Sequence, residues 1–257
     1  MKPVALITGA ARGIGLAAVD ELARQGYRIV AFDAPGTTRS VPHPATRDEL
    51  YSIAAGREEQ VLPFVGDVRR PDDLRGAVDL AVTQFGRLDV AVAAASVIAG
   101  GGPMWSQDPD DLDEVWSVDA VGVWNTARVV LPAMLSGPDP RRARFVAVAS
   151  AAAHDGFYGL SAYCMAKHAV VGLVAGLAAD LGDTGPTACA ISPGSTDTPM
   201  LAATADLYGV SQADLLERQP TGVLAPDEIA EAIAFACSSA GRMLNGSVMR
   251  CTGGLRP

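Results

Sequence analysis

Residues 4–15 read VALITGAARGIG. The run Val4–Thr8 has the length and apolar character of a buried strand, and glycines follow at positions 9, 13 and 15. Beyond them, LAAVDELARQG sets Leu16, Val19, Leu22 and Ala23 on one helical stripe and closes on Gly26. Strand, glycine-rich turn and helix together form the opening unit of a parallel sheet. The glycines permit a tight turn and let the backbone approach a pyrophosphate lying on the helix N-terminus. Their spacing, Gly-x-x-x-Gly-x-Gly, is one residue looser than the G-x-G-x-x-G fingerprint, and alone it also fits an ordinary strand–helix turn.

The same alternation continues. RIVAF, VLPFV (Val61–Val65) and LDVAVAAAS read as strands, and PDDLRGAVDLAVTQFG reads as a helix opening on Pro71 and closing on Gly86. A long helix, DPDDLDEVWSVDAVGVWNTARVVLPAML, precedes the strand RFVAVAS. Helix SAYCMAKHAVVGLVAGLAADLG, strand TACAIS, a polar lid-like segment, helix PDEIAEAIAFACS and strand SVMRC complete the chain. Strands without polar alternation, interleaved with helices, imply a parallel sheet covered on both faces. The fold class is α/β, a doubly wound, Rossmann-like parallel sheet of about seven strands. Residues 1–257 read as one domain, with no repeat and no linker.

Composition narrows the function. The chain has 257 residues, 49% of them hydrophobic, and its net charge is −9. A net acidic surface excludes nucleic acid and anionic membranes as partners, since both need a basic field. Any bound phosphate must be held by local backbone amides. Cys164, Cys189, Cys237 and Cys251 form no C-x-x-C pair, and with three histidines no metal pattern emerges, so the thiols read as packing. The N-terminal apolar run is too short for a signal peptide or a membrane span, and the expected location is the reducing cytoplasm.

Asp33 ends the second strand, 18 residues after Gly15. A carboxylate there can accept hydrogen bonds from the adenosine ribose hydroxyls and would repel a 2′-phosphate, which favours NAD over NADP. Arg12 lies in the glycine turn, where an arginine can pair with the 2′-phosphate of NADP, but a loop arginine is as often simply solvated. Asp67 sits at the tip of the third strand, where it can meet the adenine or cap the next helix.

YCMAK places Tyr163 and Lys167 four apart on one helix face, and Ser150 ends the preceding strand. Taken with the glycine turn, this set resembles the short-chain dehydrogenase/reductase family. The resemblance runs through nearly the whole chain: TGxxxGxG at Thr8–Gly15, Asp33, Asp67-Val68, Ser150, YxxxK at 163–167 and SPGSTDT at Ser192–Thr198. It implies an alcohol or ketone as small-molecule substrate. Tyr163 would act as the base, Lys167 would lower its pKa and hold the nicotinamide ribose, and Ser150 would hold the substrate oxygen. Free tyrosine titrates near 10, and an adjacent ammonium favours its phenolate. The resemblance implies cofactor contacts from Gly9, Arg12, Gly13, Ile14, Gly15, Asp33, Asp67, Val68, Ala94, Tyr163, Lys167, Pro193, Gly194, Thr196 and Thr198.

Two departures stand out. Where members commonly carry Asn-Asn-Ala-Gly, this chain reads AAAS (Ala93–Ser96), which predicts weaker bracing of the fourth strand. Where many carry the Asn of a water-linked proton relay, VDAVG supplies Asp119. An ionised carboxylate accepts but does not donate, so the relay would persist with altered proton affinity.

The segment at about 34–60, APGTTRSVPHPATRDELYSIAAGREEQ, is too polar and too rich in Pro and Gly to read as core. It is also far longer than the usual connection. Its wording, with VAAAS and SPGSTDTPMLAATADLYG, resembles the mycofactocin-coupled branch of the family. That branch implies a segment covering a non-exchanging NAD, with mycofactocin as the redox carrier. The alternatives are an ordinary NAD(H)-exchanging dehydrogenase or ketoreductase and a non-catalytic dinucleotide-binding protein; an intact Ser150, Tyr163 and Lys167 count against the last. VIAGGGPMW and a lid at about 195–224 are expected to line the substrate pocket, where Met104, Trp105, Met200, Leu201 and Tyr208 suggest an apolar secondary alcohol. Family resemblance further implies a homotetramer built on the long helices.

Overall fold

The computed structural model describes residues 2–36, 44–217 and 219–256. Seven parallel strands form a single sheet in the order β3-β2-β1-β4-β5-β6-β7. They are β1 (Val4–Thr8), β2 (Arg28–Asp33), β3 (Val61–Val65), β4 (Val90–Ala93), β5 (Arg144–Val148), β6 (Thr187–Pro193) and β7 (Val248–Cys251). The chain first winds outward from β1 to β3, then returns to β4 on the other side of β1. At this reversal the connections leaving β1 and β4 diverge, opening a crevice at the carboxyl ends of the strands.

Alternate residues of β1 serve opposite faces. Val4 and Leu6 join one core cluster with α3 (Pro71–Phe85), the long helix and α6 (Ser161–Leu181). Ala5 and Ile7 join the other, with α1 (Gly13–Arg24) and α9 (Pro226–Cys237). The expected long helix comprises α4 (Pro109–Val115), a π-helical turn at Trp116–Val121 and α5 (Gly122–Leu135). The lid-like segment contains α7 (Pro199–Tyr208) and α8 (Gln212–Leu216).

The 34–60 segment corrects one expectation. Its second half forms α2 (Arg47–Ser52), with a capping box between Thr46 and Glu49. Leu50, Ile53 and Ala54 are buried in the same core cluster as α1. One amphipathic turn enters the core while its polar neighbours dominate the average composition. Residues 37–43 of this segment lie outside the described residues.

The glycine turn is held by close backbone approach. A Cβ on Gly15 would stand 2.0 Å from the Gly9 carbonyl oxygen. Gly9 itself has φ +67° and would press a Cβ to 2.8 Å from the Ala94 carbonyl oxygen. Gly15→Ala is therefore expected to cost roughly 1–3 kcal/mol by overpacking. Gly156→Ala, where nothing lies within 4 Å, should stay within about 0.5 kcal/mol of wild type. Thermal and urea melts compare the two, and equal stabilities would refute the close-packed turn.

Candidate active site

A cavity of about 680 Å³ opens at the carboxyl ends of β1, β4, β5 and β6. All the sequence-predicted site residues line it except Asp119, which lies fully buried beneath. Of the five expected substrate contacts, Met200, Leu201 and Tyr208 line the cavity, but Met104 and Trp105 do not. Those two are 62% and 85% exposed. Val97 and Ile98 still face the cavity. Gly100 and Gly101, at φ +133° and +107°, then turn the chain away, and the Gly101 N–H donates to the Gly159 carbonyl.

The β1–β2 side of the cavity suits a dinucleotide. The backbone at Gly9, Gly13 and Gly15 lines the cavity, in a turn packed too closely against Gly9 and the β4 exit to admit side chains at Gly15 and Gly9. Asp33 accepts hydrogen bonds from the Ala11 N–H at 2.8 Å and the Ala34 N–H at 2.7 Å. Burial raises its pKa, opposed by those two amides and by Arg12. A carboxylate offers about four acceptor sites, so Asp33 retains capacity for ribose hydroxyls. Asp67 does not cap α3; it is tied to Arg69, whose Nε stands 2.9 Å from its carboxylate. Burial works against that charge, but the Arg69 bonds hold the Asp67 pKa low.

Thr8 supplies the strand brace expected to be weak. Its Oγ1 accepts from the Ala94 and Ala95 N–H groups, both at 3.1 Å. Arg12 is not simply solvated either. Its Nη2 donates to both carboxylate oxygens of Glu49, at 2.8 and 2.6 Å, joining the glycine turn to α2. The Arg12 and Thr46 bonds lower the Glu49 pKa to about 2. This contribution is fully present above the ordinary value of 4.5 and is lost as the pH falls through about 2. With Glu49 44% exposed, the bridge is modest in strength and weakened by salt.

The β5–β6 side carries the reactive groups. Tyr163 and Lys167 project from α6 on one face. Lys167 is buried, its Nζ 3.0 Å from Asp119 Oδ2 and 3.2 Å from the Val148 carbonyl. Burial opposes its charge, yet Asp119 and Tyr163 raise its pKa above that of ordinary lysine. The Tyr163 hydroxyl faces Met200 Sδ at 3.8 Å. Burial raises the Tyr163 pKa and Asp119 adds to the rise, while Lys167 and the nearby Ser150 and Ser96 hydroxyls oppose it. Ser150 Oγ accepts the Ala152 N–H at 3.1 Å. The Thr198 hydroxyl caps α7 and donates to the Thr196 carbonyl.

The family profile described as Enoyl-(Acyl carrier protein) reductase matches residues 9–256. An uncharacterised NAD-dependent oxidoreductase of Mycobacterium tuberculosis is 34% identical over 95% of this chain and 92% of its own. The chain belongs to the short-chain dehydrogenase/reductase family. (-)-trans-Carveol dehydrogenase of Rhodococcus erythropolis is 36% identical over 77% of this chain and 72% of its own. Among solved structures, carveol dehydrogenase from Mycobacterium avium in complex with NAD superposes with a TM-score of 0.90. It is 27% identical and covers 98% of this chain and 96% of its own. A short-chain dehydrogenase from Mycobacterium paratuberculosis bound to NAD gives 0.88 at 30% identity, over 98% of this chain and 97% of its own.

Within this short-chain dehydrogenase, Ser96, Glu49 and Thr8 adjoin the site though motif reading did not assign them to it. Ser96 had a signal: a hydroxyl in the otherwise apolar AAAS stretch. Lys167→Met should strand the Asp119 charge in the interior and destabilise the fold by about 3–5 kcal/mol. Adding Asp119→Asn should recover part of that loss. Urea denaturation measures both, and a wild-type midpoint for Lys167→Met would show that the pair does not hold the fold.

Proposed function

We propose that this protein oxidises an apolar secondary alcohol by hydride transfer to tightly bound NAD, and that the electrons pass on to mycofactocin. The observation that carries the oxidation is one cavity joining the glycine turn and Asp33 to Tyr163, Lys167 and Ser150. NAD-dependent oxidoreductase chemistry accords with relatives so named and with neighbours solved with NAD. The bound nicotinamide supplies the hydride acceptor. Tyr163 takes the hydroxyl proton, and the Lys167 ammonium favours the phenolate that must form. Ser150, its oxygen engaged by the Ala152 N–H, keeps its own proton to donate to the substrate oxygen. Thr198 donates to Thr196 and retains an acceptor site for the carboxamide NH₂.

An apolar substrate is supported by the wall formed by Phe157, Leu160, Met200, Leu201 and Val210. Relatives named carveol dehydrogenases point to the same class. We take residues 1–257 as a single domain, 34–60 as a cover over the cofactor and 195–224 as the substrate lid. Support for the cover comes from Pro44 and Ala45 in the cavity wall and from the Arg12–Glu49 bridge. A groove on α5 and α6 between Trp124, Leu131, Gly172 and Leu177 supports a homotetramer assembled on these helices. The free thiols of all four cysteines accord with the cytoplasm.

Tyr163→Phe should abolish oxidation of carveol while leaving the circular dichroism spectrum and NAD binding near wild type; substantial turnover by this variant would overturn the assigned base. NAD should copurify at close to one per chain and resist dialysis. Sustained turnover should then need an artificial acceptor standing in for mycofactocin. Glu49→Ala and high salt should each speed NAD release. Protein purified without nucleotide that turns over rapidly on free NAD would instead identify an ordinary exchanging dehydrogenase.

A further inference from the structure

Gln219 lies near the end of the segment that carries α7 and α8, and it is only 3% exposed. Its side chain makes three hydrogen bonds. Oε1 accepts the Ser195 N–H at 2.7 Å, while Nε2 donates to the Ser195 carbonyl at 3.0 Å and the Gly222 carbonyl at 2.6 Å. Turning the amide over would set its oxygen against two carbonyls and its NH₂ against an N–H, so these partners fix its orientation. Gly194 makes room for it, since a Cβ there would stand 2.6 Å from Gln219 Oε1. The amide thus engages both backbone groups of Ser195, as a neighbouring strand would.

Ser195 belongs to the loop that leaves β6 along the cavity wall toward Thr198. A single parallel bridge joins this loop to Leu224, whose N–H donates to the Ser195 carbonyl at 3.0 Å and whose carbonyl accepts the Asp197 N–H at 2.9 Å. That bridge leaves the Ser195 N–H unmet, and Gln219 supplies the acceptor. The Thr196 N–H meets no acceptor among the described residues, although Thr196 is buried and lines the cavity. A buried N–H needs a partner, and this one lies on the side that carries Tyr163, Lys167 and Ser150. Hydride transfer brings the nicotinamide to that same side, and its carboxamide oxygen is an acceptor of the right kind. We propose that Gln219 is a positioning residue for the nicotinamide: it holds Ser195 so that the next amide, at Thr196, is presented to the carboxamide. Gln219 itself touches no reacting atom; it acts through the loop.

The inference rests on the alcohol-dehydrogenase reading, and its test separates the two. The full chain, stripped of nucleotide with charcoal or by unfolding and refolding in urea, is titrated by calorimetry with NAD and with ADP-ribose. ADP-ribose keeps the rest of the dinucleotide and lacks the nicotinamide. Gln219→Met fills the space but makes none of the three bonds. It should weaken NAD binding roughly tenfold while ADP-ribose stays within about twofold of wild type. Thr221 serves as the structural control, because its hydroxyl donates to the Gly253 carbonyl at 3.1 Å beside Gln219. Thr221→Val should leave the ratio of the two affinities unchanged, even where it lowers the melting temperature. Gln219→Ala repeats the comparison if Gln219→Met folds poorly. An equal loss for both nucleotides, or for neither, would overturn the proposal, as would a Thr221→Val loss confined to NAD. A loss confined to NAD in the Gln219 variants, in a protein that oxidises no alcohol, would retain the proposal and sink the dehydrogenase reading.

Discussion

The pairing of Lys167 with Asp119 constrains more of this molecule than any other single contact. Both side chains are almost wholly removed from water, and an ion so placed is tolerable when it meets a partner with its remaining valences satisfied. Here those valences draw in four parts of the chain. Lys167 brings α6 and reaches the end of β5 through the Val148 carbonyl; Asp119 brings the π-helical turn and receives the β4 exit through Ser96 and Val97. Packing alone could let α6 slide along the sheet by small amounts. The ion pair cannot, and so it sets where the Tyr163 hydroxyl stands.

A second constraint works without charge. At the reversal of strand order, β1 and β4 must end side by side while their connections diverge. Thr8 spans the gap by accepting two amides from the β4 exit, and Gly9 lets that exit pass against the turn. The chain thereby dispenses with asparagine side chains at Ala93 and Ala94. Alanines there leave the backbone itself to form the floor of the nucleotide crevice.

What was legible in the sequence is what depends on neighbours a few residues apart. The strand period of VALIT, the glycine spacing of TGAARGIG and the four-residue interval of Tyr163 and Lys167 are all local, and each recurs in the structure where its pattern placed it. The contacts that escaped the sequence join distant segments: Arg12 with Glu49, Thr8 with Ala94 and Ser96 with Asp119. Such partners are chosen by the register of parallel strands and the angle of crossover helices, which no local window contains. Average composition misled in one place. It hid the buried turn of Leu50, Ile53 and Ala54 within a polar stretch. Separately, the place of VIAGGGPMW just after the fourth strand suggested that Met104 and Trp105 line the cavity, whereas backbone glycines direct them outward.

The π-helical turn between α4 and α5 has a geometric consequence of its own. One additional residue in a helix advances everything downstream by about 100° around the axis, given 3.6 residues per turn. The element can thus change neighbours without bending: α4 packs on α6, whereas α5 packs on α3. The same phase step swings Asp119 inward to Lys167. Loss of one residue between Trp116 and Val121 would straighten the winding and turn the carboxylate away from its ammonium. Length in this stretch is therefore as strictly fixed as the identity of the acid it carries.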